Sequence, residues 1–226
     1  MKIELFDAYS IRARLSVTII LLSPVILSLF LCFQSAFTTL SSAVIIMVLL
    51  AFANYLPVIQ RSVGKKKYTT PDYAAQYLLP TDNTHDSATK ERNYKKLAVL
   101  DASFSGLSDT NNPDLSEKIA SAVLFLREKT RDCRLVLEEN ITYGFCKNLQ
   151  SSKPIGIGMC IITYVLLGTY ATIKYSSASD IPLRLWFSLA VNVIILLFWL
   201  VLVKEKHCDA AAKCYAKALI SAIDSL

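Results

Sequence analysis

Three long stretches without a charged residue constrain this chain more than any other feature. Residues 15–60 hold no Asp, Glu, Lys or Arg, and neither do residues 154–173 or 185–203. A helix needs about 20 apolar residues to cross the hydrocarbon of a bilayer. The last two stretches therefore predict one span each, and the first is long enough for two spans joined by a polar turn at 34–39. The sequence predicts an all-α membrane protein with four spans, at about 15–33, 38–58, 155–173 and 185–203.

The positions of the cations predict the orientation of these spans. Lys and Arg are concentrated before the first span, throughout 61–153 and after the last span, whereas the two short hairpin loops carry few charges. Loops rich in Lys and Arg stay in the cytoplasm. Both termini and the central segment are therefore expected to be cytoplasmic. The apolar start is longer than the core of a signal peptide and is expected to remain on the protein.

These boundaries divide the chain into four predicted parts. An amino-terminal interfacial helix and a transmembrane hairpin occupy 1–60, and a mainly helical sensor or oligomerisation domain occupies 61–153. A second transmembrane hairpin follows at 154–203, and a cytosolic tail helix occupies 204–226. The central part has 15 Lys and Arg against 12 Asp and Glu, so it is mildly basic.

One long amphipathic helix is predicted inside the central part. Apolar residues recur at steps of three, four and seven from Leu115 to Gly144, which is one face of a helix of about 35 residues. Asp114 or Ser116 is the expected N-cap. A stripe of this length in a small domain packs against copies of itself or against another long helix. A homo-oligomer is therefore expected.

Cations on that helix predict a phosphate-binding site. Arg127, Arg131 and Arg134 are spaced i, i+4 and i+7, so they share one helix face, and Lys147 follows on the same helix. Guanidinium groups bind phosphates bidentately. The alternative is a solvated face held by i,i+4 ion pairs.

Aromatic and basic residues extend this hypothesis. Tyr143 and Phe145 are candidates for stacking on nucleobases. Lys65, Lys66 and Lys67 supply further positive charge, although a lysine triplet at the end of a span is equally explained by orientation in the membrane or by lipid binding.

The spans lack internal acids and bases, which argues against a proton-coupled transporter. Hydroxyl and amide side chains remain as candidates to line a pore, and such a pore favours anions because no fixed negative charge lines it. For Asn192 the alternative is a hydrogen bond between helices. The pore-lining candidates are Asn192, Ser188, Asn54, Thr163 and Thr169.

A hinge is predicted where the long helix enters the membrane. Pro154 lacks a backbone N–H, and Gly156 and Gly158 permit bending. The alternative is a simple helix end at Pro154. If the segment is stiff on both sides of the hinge, motion of the central domain is transmitted to the third span.

The motifs typical of enzymes are missing from this sequence. It contains no GxxxxGK[ST], HExxH, GxSxG or GxGxxG, and Asp101 has no partner motif. His207, Cys208 and Cys214 lack a fourth local ligand, so neither a metal nor a cofactor is expected. The remaining alternatives are a membrane-anchored adaptor that binds a protein partner and a component of a small transporter.

Four segments of the sequence resemble the Hailong family of antiphage defence membrane effectors. They are LFDAYSIRAR (5–14), FLREKTRD (125–132), EENITYGF (138–145) and NLQSSKPIG (148–156). In that family a partner nucleotidyltransferase makes a DNA oligomer that controls a tetrameric channel. The resemblance implies an anion-conducting homotetramer of the bacterial inner membrane, gated by a nucleotide or DNA oligomer, whose opening depolarises an infected cell and arrests its growth.

Overall fold

The computed structural model describes residues 8–32, 47–48, 51–52, 54–55, 58 and 70–226, and every element in them is helical. The α-helices are α1 (Ser16–Cys32), α2 (Tyr73–Leu78), α3 (Ser87–Leu100), α4 (Leu115–Lys129), α5 (Arg134–Lys174), α6 (Leu183–Leu197) and α7 (Glu205–Ser221). Two π-helical turns, Ser10–Leu15 and Phe198–Leu202, extend α1 at its start and α6 at its end. The prediction of an all-α chain is confirmed for this part of the protein.

Three of these helices are long and apolar enough to cross a membrane. They are Ser10–Cys32, Arg134–Lys174 and Leu183–Leu202, and they correspond to the first, third and fourth predicted spans. The second predicted span, 38–58, lies almost wholly outside the described residues. The helices that the structure does describe indicate a membrane protein.

The predicted single amphipathic helix from Leu115 onwards is wrong, because α4 ends at Lys129 and α5 begins at Arg134. Thr130 has non-helical backbone angles (φ −97°, ψ 10°), and its hydroxyl donates to the carbonyl of Leu126 at 2.7 Å. The sequence pattern did not reveal the break because the apolar spacing continues on the far side of the turn.

Pro154 does not end a helix, since α5 runs through it from Arg134 to Lys174. Pro154 has no N–H to donate to the carbonyl four residues earlier, so one backbone hydrogen bond is missing from the helix at this point. The alternative of a helix end at Pro154 is therefore wrong. Bending at Pro154, Gly156 and Gly158 stays a prediction.

The chain divides into two compact units. The first, called here the polar unit, comprises Thr70–Tyr143 and Cys208–Leu226. The second, called the membrane-helix unit, comprises Gly144–His207 together with the amino-terminal residues, of which 8–32 form its described helix. The residues of α5 are shared between the two units.

The core of the polar unit is built from both of its sequence segments. Leu97, Leu107 and Leu126 are fully buried in it, and so are Leu219 and Ile223 from the carboxyl-terminal segment. The tail is therefore an integral part of this core.

The membrane-helix unit has a smaller buried cluster centred on Trp199, which is fully buried. Val17 and Leu21 of α1 pack against it, as do Cys160 of α5 and Val203. Lys153 donates its ammonium to the carbonyl of Val203 at 2.7 Å. A cation at the carboxyl end of a helix interacts favourably with its dipole, so this contact stabilises the end of the last membrane-length helix.

Candidate functional site

The four cations predicted to bind phosphate do not lie on one helix face. Arg127 is in the last turn of α4, Arg131 is in the turn that follows, and Arg134 is the first residue of α5. Lys147 belongs to the membrane-helix unit. The shared face was inferred from an unbroken helix and is wrong for that reason, while phosphate binding by these residues stays a prediction.

Arg127 lies beside a carboxylate in the polar unit. Its Nη2 donates to Oδ2 of Asp72 at 2.9 Å, and the other oxygen of Asp72 accepts from the backbone N–H of Ala75 at 3.3 Å, which caps α2. Both charged side chains are about half exposed. Such a pair contributes roughly 0–1 kcal/mol, so a phosphate could replace the Asp72 carboxylate at small cost.

Two tyrosine rings stack next to Arg127. Tyr143 and Tyr215 are nearly parallel, with ring centroids 6.0 Å apart and planes at 10°. The hydroxyls of Tyr143 and Thr70 are 2.6 Å apart. Burial raises the pKa of Tyr215, and the neighbouring Arg127 opposes this shift. Tyr143 is thus the one predicted stacking residue found beside Arg127, because Phe145 packs in the cluster around Trp199.

A second ionic group lies on α7. Lys213 pairs with Asp209 at 2.8 Å, and its ammonium is 5.1 Å from the centre of the Tyr73 ring. The Tyr73 hydroxyl donates to Asp209. Hydrogen bonds from Lys213 and Tyr73 lower the pKa of Asp209, and the bond to Asp209 raises the pKa of Tyr73. The Asp209 carboxylate also raises the pKa of Lys213.

These contacts join into one group of side chains within the polar unit, called here the tyrosine cluster. Its members are Asp72, Tyr73, Arg127, Tyr143, Asp209, Lys213 and Tyr215. Aromatic rings beside cations can hold a flat, negatively charged molecule, by stacking and by charge-assisted hydrogen bonds. Because both cations are already paired with carboxylates, such a ligand must compete with Asp72 and Asp209.

Most members of the tyrosine cluster were not predicted from the sequence, because they come from distant segments of the chain. Asp209 and Lys213 carry a local signal, an i,i+4 pair of opposite charge on a predicted helix. Nothing local indicates that this pair meets Tyr73, which lies 136 positions earlier.

The predicted pore-lining residues fall into two groups. Asn192, Ser188 and Thr163 are buried within the membrane-helix unit, whereas Asn54 and Thr169 are exposed on their helices. The Ser188 hydroxyl donates to Ser28 of α1 at 3.1 Å. The Nδ2 atom of Asn192 is buried, and no described residue provides it with a hydrogen-bond partner. Pore lining stays a prediction for all five residues.

Two of the predicted hinge residues differ in their surroundings. A Cβ atom added at Gly156 would overlap the indole of Trp199, so that ring occupies the space above the glycine. A Cβ at Gly158 would meet open space. Gly156 is therefore required by packing, and Gly158 is not.

Comparisons with known proteins do not identify this chain: no family model, no curated protein and no solved structure matches it. Among the described residues, no group of three or more His, Cys, Asp and Glu side chains is placed to hold a metal ion.

Proposed function

We propose that this protein is an oligomeric, anion-conducting membrane channel, gated by a nucleotide or DNA oligomer that binds the polar unit. The supporting observation is helix α5, whose residues belong to both units without a non-helical segment between them. A ligand with different affinities for two states of the polar unit can shift the equilibrium between them. A continuous helix is a physical route by which that shift can act on a membrane span.

The proposed topology has four spans with both termini and the polar unit in the cytoplasm of a bacterium. It is supported by three membrane-length helices and by the distribution of Lys and Arg in the sequence. A homotetramer in the inner membrane, acting in antiphage defence by depolarising the cell, is what the Hailong resemblance adds to the proposal.

The tyrosine cluster is the proposed ligand site, with Arg127 as its phosphate-binding residue. Arg127 lies next to the stacked rings, is hydrogen-bonded to Tyr215 and pairs with the half-exposed carboxylate of Asp72. A nucleotide phosphate would displace Asp72 from Arg127, and the Asp72 carboxylate would then cap only α2. Loss of that ion pair is the proposed local change that accompanies ligand binding.

Flux through liposomes that contain the purified full-length protein tests this proposal. We expect wild-type chloride flux to change when a defined single-stranded DNA oligomer is added to the polar-unit side. Arg127→Glu should weaken oligomer binding at least tenfold, since it removes a charged hydrogen bond to phosphate and adds repulsion. Arg131→Glu is the matched control, because it makes the same charge change outside the cluster.

Two results would contradict the proposal. Liposomes with correctly assembled protein that conduct no ions under any condition would exclude a channel. Equal losses of affinity for Arg127→Glu and Arg131→Glu would show that general charge, and not the cluster, binds the oligomer.

A non-conducting adaptor is the second candidate, and exposed apolar side chains on the polar unit favour it. Val99 is 87% exposed, and Leu124 and Leu135 are 64% and 58% exposed. When exposed apolar side chains of this size form a patch, that patch is typical of a surface that binds another protein. An adaptor predicts a protein complex through these residues and no ion flux.

A further inference from the structure

Both π-helical turns of the membrane-helix unit pack against one short segment of α5, residues 144–156. They are called here the first π turn, Ser10–Leu15, and the second π turn, Phe198–Leu202. In a π turn the backbone hydrogen bond spans five residues instead of four, as the N–H of Val203 does when it donates to Phe198 at 3.3 Å. Such turns are rare and occur frequently at functional sites. The contacts that hold these two turns open are therefore candidates for a functional role.

The second π turn is held by α5 at two points. The indole of Trp199 occupies the space over Gly156, and the ammonium of Lys153 donates to the carbonyl of Val203 at 2.7 Å. Lys153 and Gly156 are three residues apart, so they lie on one face of α5. Closing the turn to an α-helix would rotate Val203 relative to Trp199, and one of the two contacts would then break.

The first π turn is held on α5 by the same two kinds of contact. The ring of Tyr9 occupies the space over Gly144, and the amide of Asn148 donates to the carbonyl of Ala13 at 2.8 Å. Ala13 follows Tyr9 by four positions, as Val203 follows Trp199. Both turns thus present an aromatic ring to a glycine of α5 and, four positions later, a carbonyl to a side-chain donor of α5.

The hydrogen bond is the contact that each turn can release. A ring packed over a glycine resists any shift of the backbone, whereas a side-chain donor exchanges a carbonyl for water at small net cost. At the first π turn the carbonyls beside Ala13 accept from hydroxyl groups of the same helix segment, those of Ser16 and Thr18, at Ile11, Arg12 and Arg14. The bond from Asn148 therefore ties this turn to α5, and the bond from Lys153 does so at the second.

We propose that the two π turns form a conformational switch that α5 controls through Asn148 and Lys153. When α5 shifts and one of these side chains releases its carbonyl, the turn that it holds closes to an α-helix. The attached helix then rotates by about 100°, the angle of one residue in an α-helix. This inference rests on the proposed channel function for its consequence, because rotation of α1 or α6 changes the face that it presents to a pore. Asn148 and Lys153 are positioning residues in this switch.

Substitution of Lys153 tests the switch without a ligand. Lys153→Met removes the donor and keeps an unbranched side chain, whereas Lys153→Arg keeps a charged donor. In crystal structures of the full-length protein, the N–H of Val203 should donate to Trp199 in Lys153→Met. It should still donate to Phe198 in Lys153→Arg and in the wild type, because the second π turn stays open in both.

Emission of Trp199, measured in a Trp186→Phe background, follows the same change in detergent solution. It should shift in Lys153→Met, as the indole leaves its place on α5, and return to the wild-type value in Lys153→Arg. Lys206→Met is the matched control, since Lys206 is exposed in the first turn of α7, outside the contacts of the second π turn. Emission of this variant should equal that of the wild type.

The first π turn gives a second and independent test. In Asn148→Leu the N–H of Ser16, which donates to Ile11 in the wild type, should donate to Arg12 instead. Thermal unfolding in detergent, followed for both variants, shows whether each remains folded. If Lys153→Met does not fold, the outcome for Asn148→Leu decides.

Chloride flux through liposomes separates this inference from the channel proposal. A closed turn in a folded variant, in a protein that conducts no ions, supports the switch and overturns the channel. Flux that differs about tenfold from wild type in Lys153→Met and recovers in Lys153→Arg supports both, since about tenfold is the effect of one hydrogen bond to a charged group. Turns that stay π-helical in the folded variants overturn the switch, as does a closed turn with wild-type flux.

Discussion

Lys90 and Asn192 are polar side chains buried in the two different units, and their surroundings differ sharply. Lys90 is 7% exposed, and its ammonium donates to the carbonyls of Leu79 at 2.7 Å, Pro80 at 3.4 Å and Asp82. Asn192 is 2% exposed and its Nδ2 atom has no hydrogen-bond partner among the described residues. In the described part of the chain, the polar unit therefore satisfies its buried cation, whereas the membrane-helix unit provides no acceptor for this amide nitrogen.

The same contrast holds for two buried aromatic side chains. The Tyr94 hydroxyl of the polar unit donates to the carbonyl of Leu78 at 2.8 Å, while Nε1 of Trp199 is buried and has no acceptor in the part of the chain that the structure describes. Satisfied buried polar groups hold a fold together, and unsatisfied ones need another explanation. We therefore assign Lys90 a role in stability and look for function at Asn192.

The largest effect is expected from Lys90→Met. This change removes the donor for three partly buried carbonyls in the loop after α2, so the free energy of unfolding should fall by about 2–4 kcal/mol. The measurement is thermal unfolding of the full-length protein in detergent, followed by circular dichroism. Lys95→Met in the same helix is the control, because Lys95 is 74% exposed and pairs only with Glu91.

Equal melting temperatures for Lys90→Met and Lys95→Met would break the comparison. They would show that the three carbonyls find other donors, and burial of Lys90 would then not be evidence of a structural role.

A smaller loss is expected from Gly156→Ala in the membrane-helix unit. The added methyl group overlaps the indole of Trp199, and such overpacking costs about 1–3 kcal/mol. Gly158→Ala is the matched control, since it meets open space and should stabilise the helix by roughly 0.5–1 kcal/mol. The melting temperatures of the two variants should move in opposite directions.

Fluorescence sharpens this second test. The chain has two tryptophans, and Trp186 is 49% exposed whereas Trp199 is fully buried. In a Trp186→Phe background, emission comes from Trp199 alone, and Gly156→Ala should shift it if the ring is displaced. An unchanged spectrum and melting temperature would mean that Trp199 does not depend on the space at Gly156.

The membrane-length helices were predictable from sequence because their signal is local. Twenty uncharged residues indicate a span without knowledge of any contact. By contrast, the break between Lys129 and Arg134 lies within an apolar pattern that continues across it, so the pattern does not indicate the break.

The candidate site was less predictable because long-range contacts create it. Arg127 and Tyr143 were chosen by their chemistry, but their partners Asp72 and Tyr215 come from segments far away in the sequence. Asn192 was chosen because an amide in an apolar helix is costly. The sequence does not show whether this amide has a partner. The packing of the described helices shows that its Nδ2 atom has none among them.

The smallest effect is expected from Asp209→Asn in the tyrosine cluster, and it is recognised by its dependence on pH. The folded-state pKa of Asp209 is lowered, so its ionised form stabilises the protein above the unfolded value of about 4, and this stabilisation is lost as the pH falls through the lowered value. The pKa values of Lys213 and Tyr73 are raised, so their contribution is present below about pH 10 and is lost as the pH rises through the folded-state values.

The difference in melting temperature between wild type and Asp209→Asn should therefore be constant between about pH 5 and 9 and shrink at both extremes. Tyr73→Phe removes the tyrosine contribution on the alkaline side and reduces the contribution on the acid side, where the hydrogen bond from Lys213 to Asp209 remains. Because Asp209 and Lys213 are partly exposed, the whole effect should be smaller than that of Lys90→Met. A difference that stays constant down to pH 2 would show that the charge of Asp209 does not hold the cluster together.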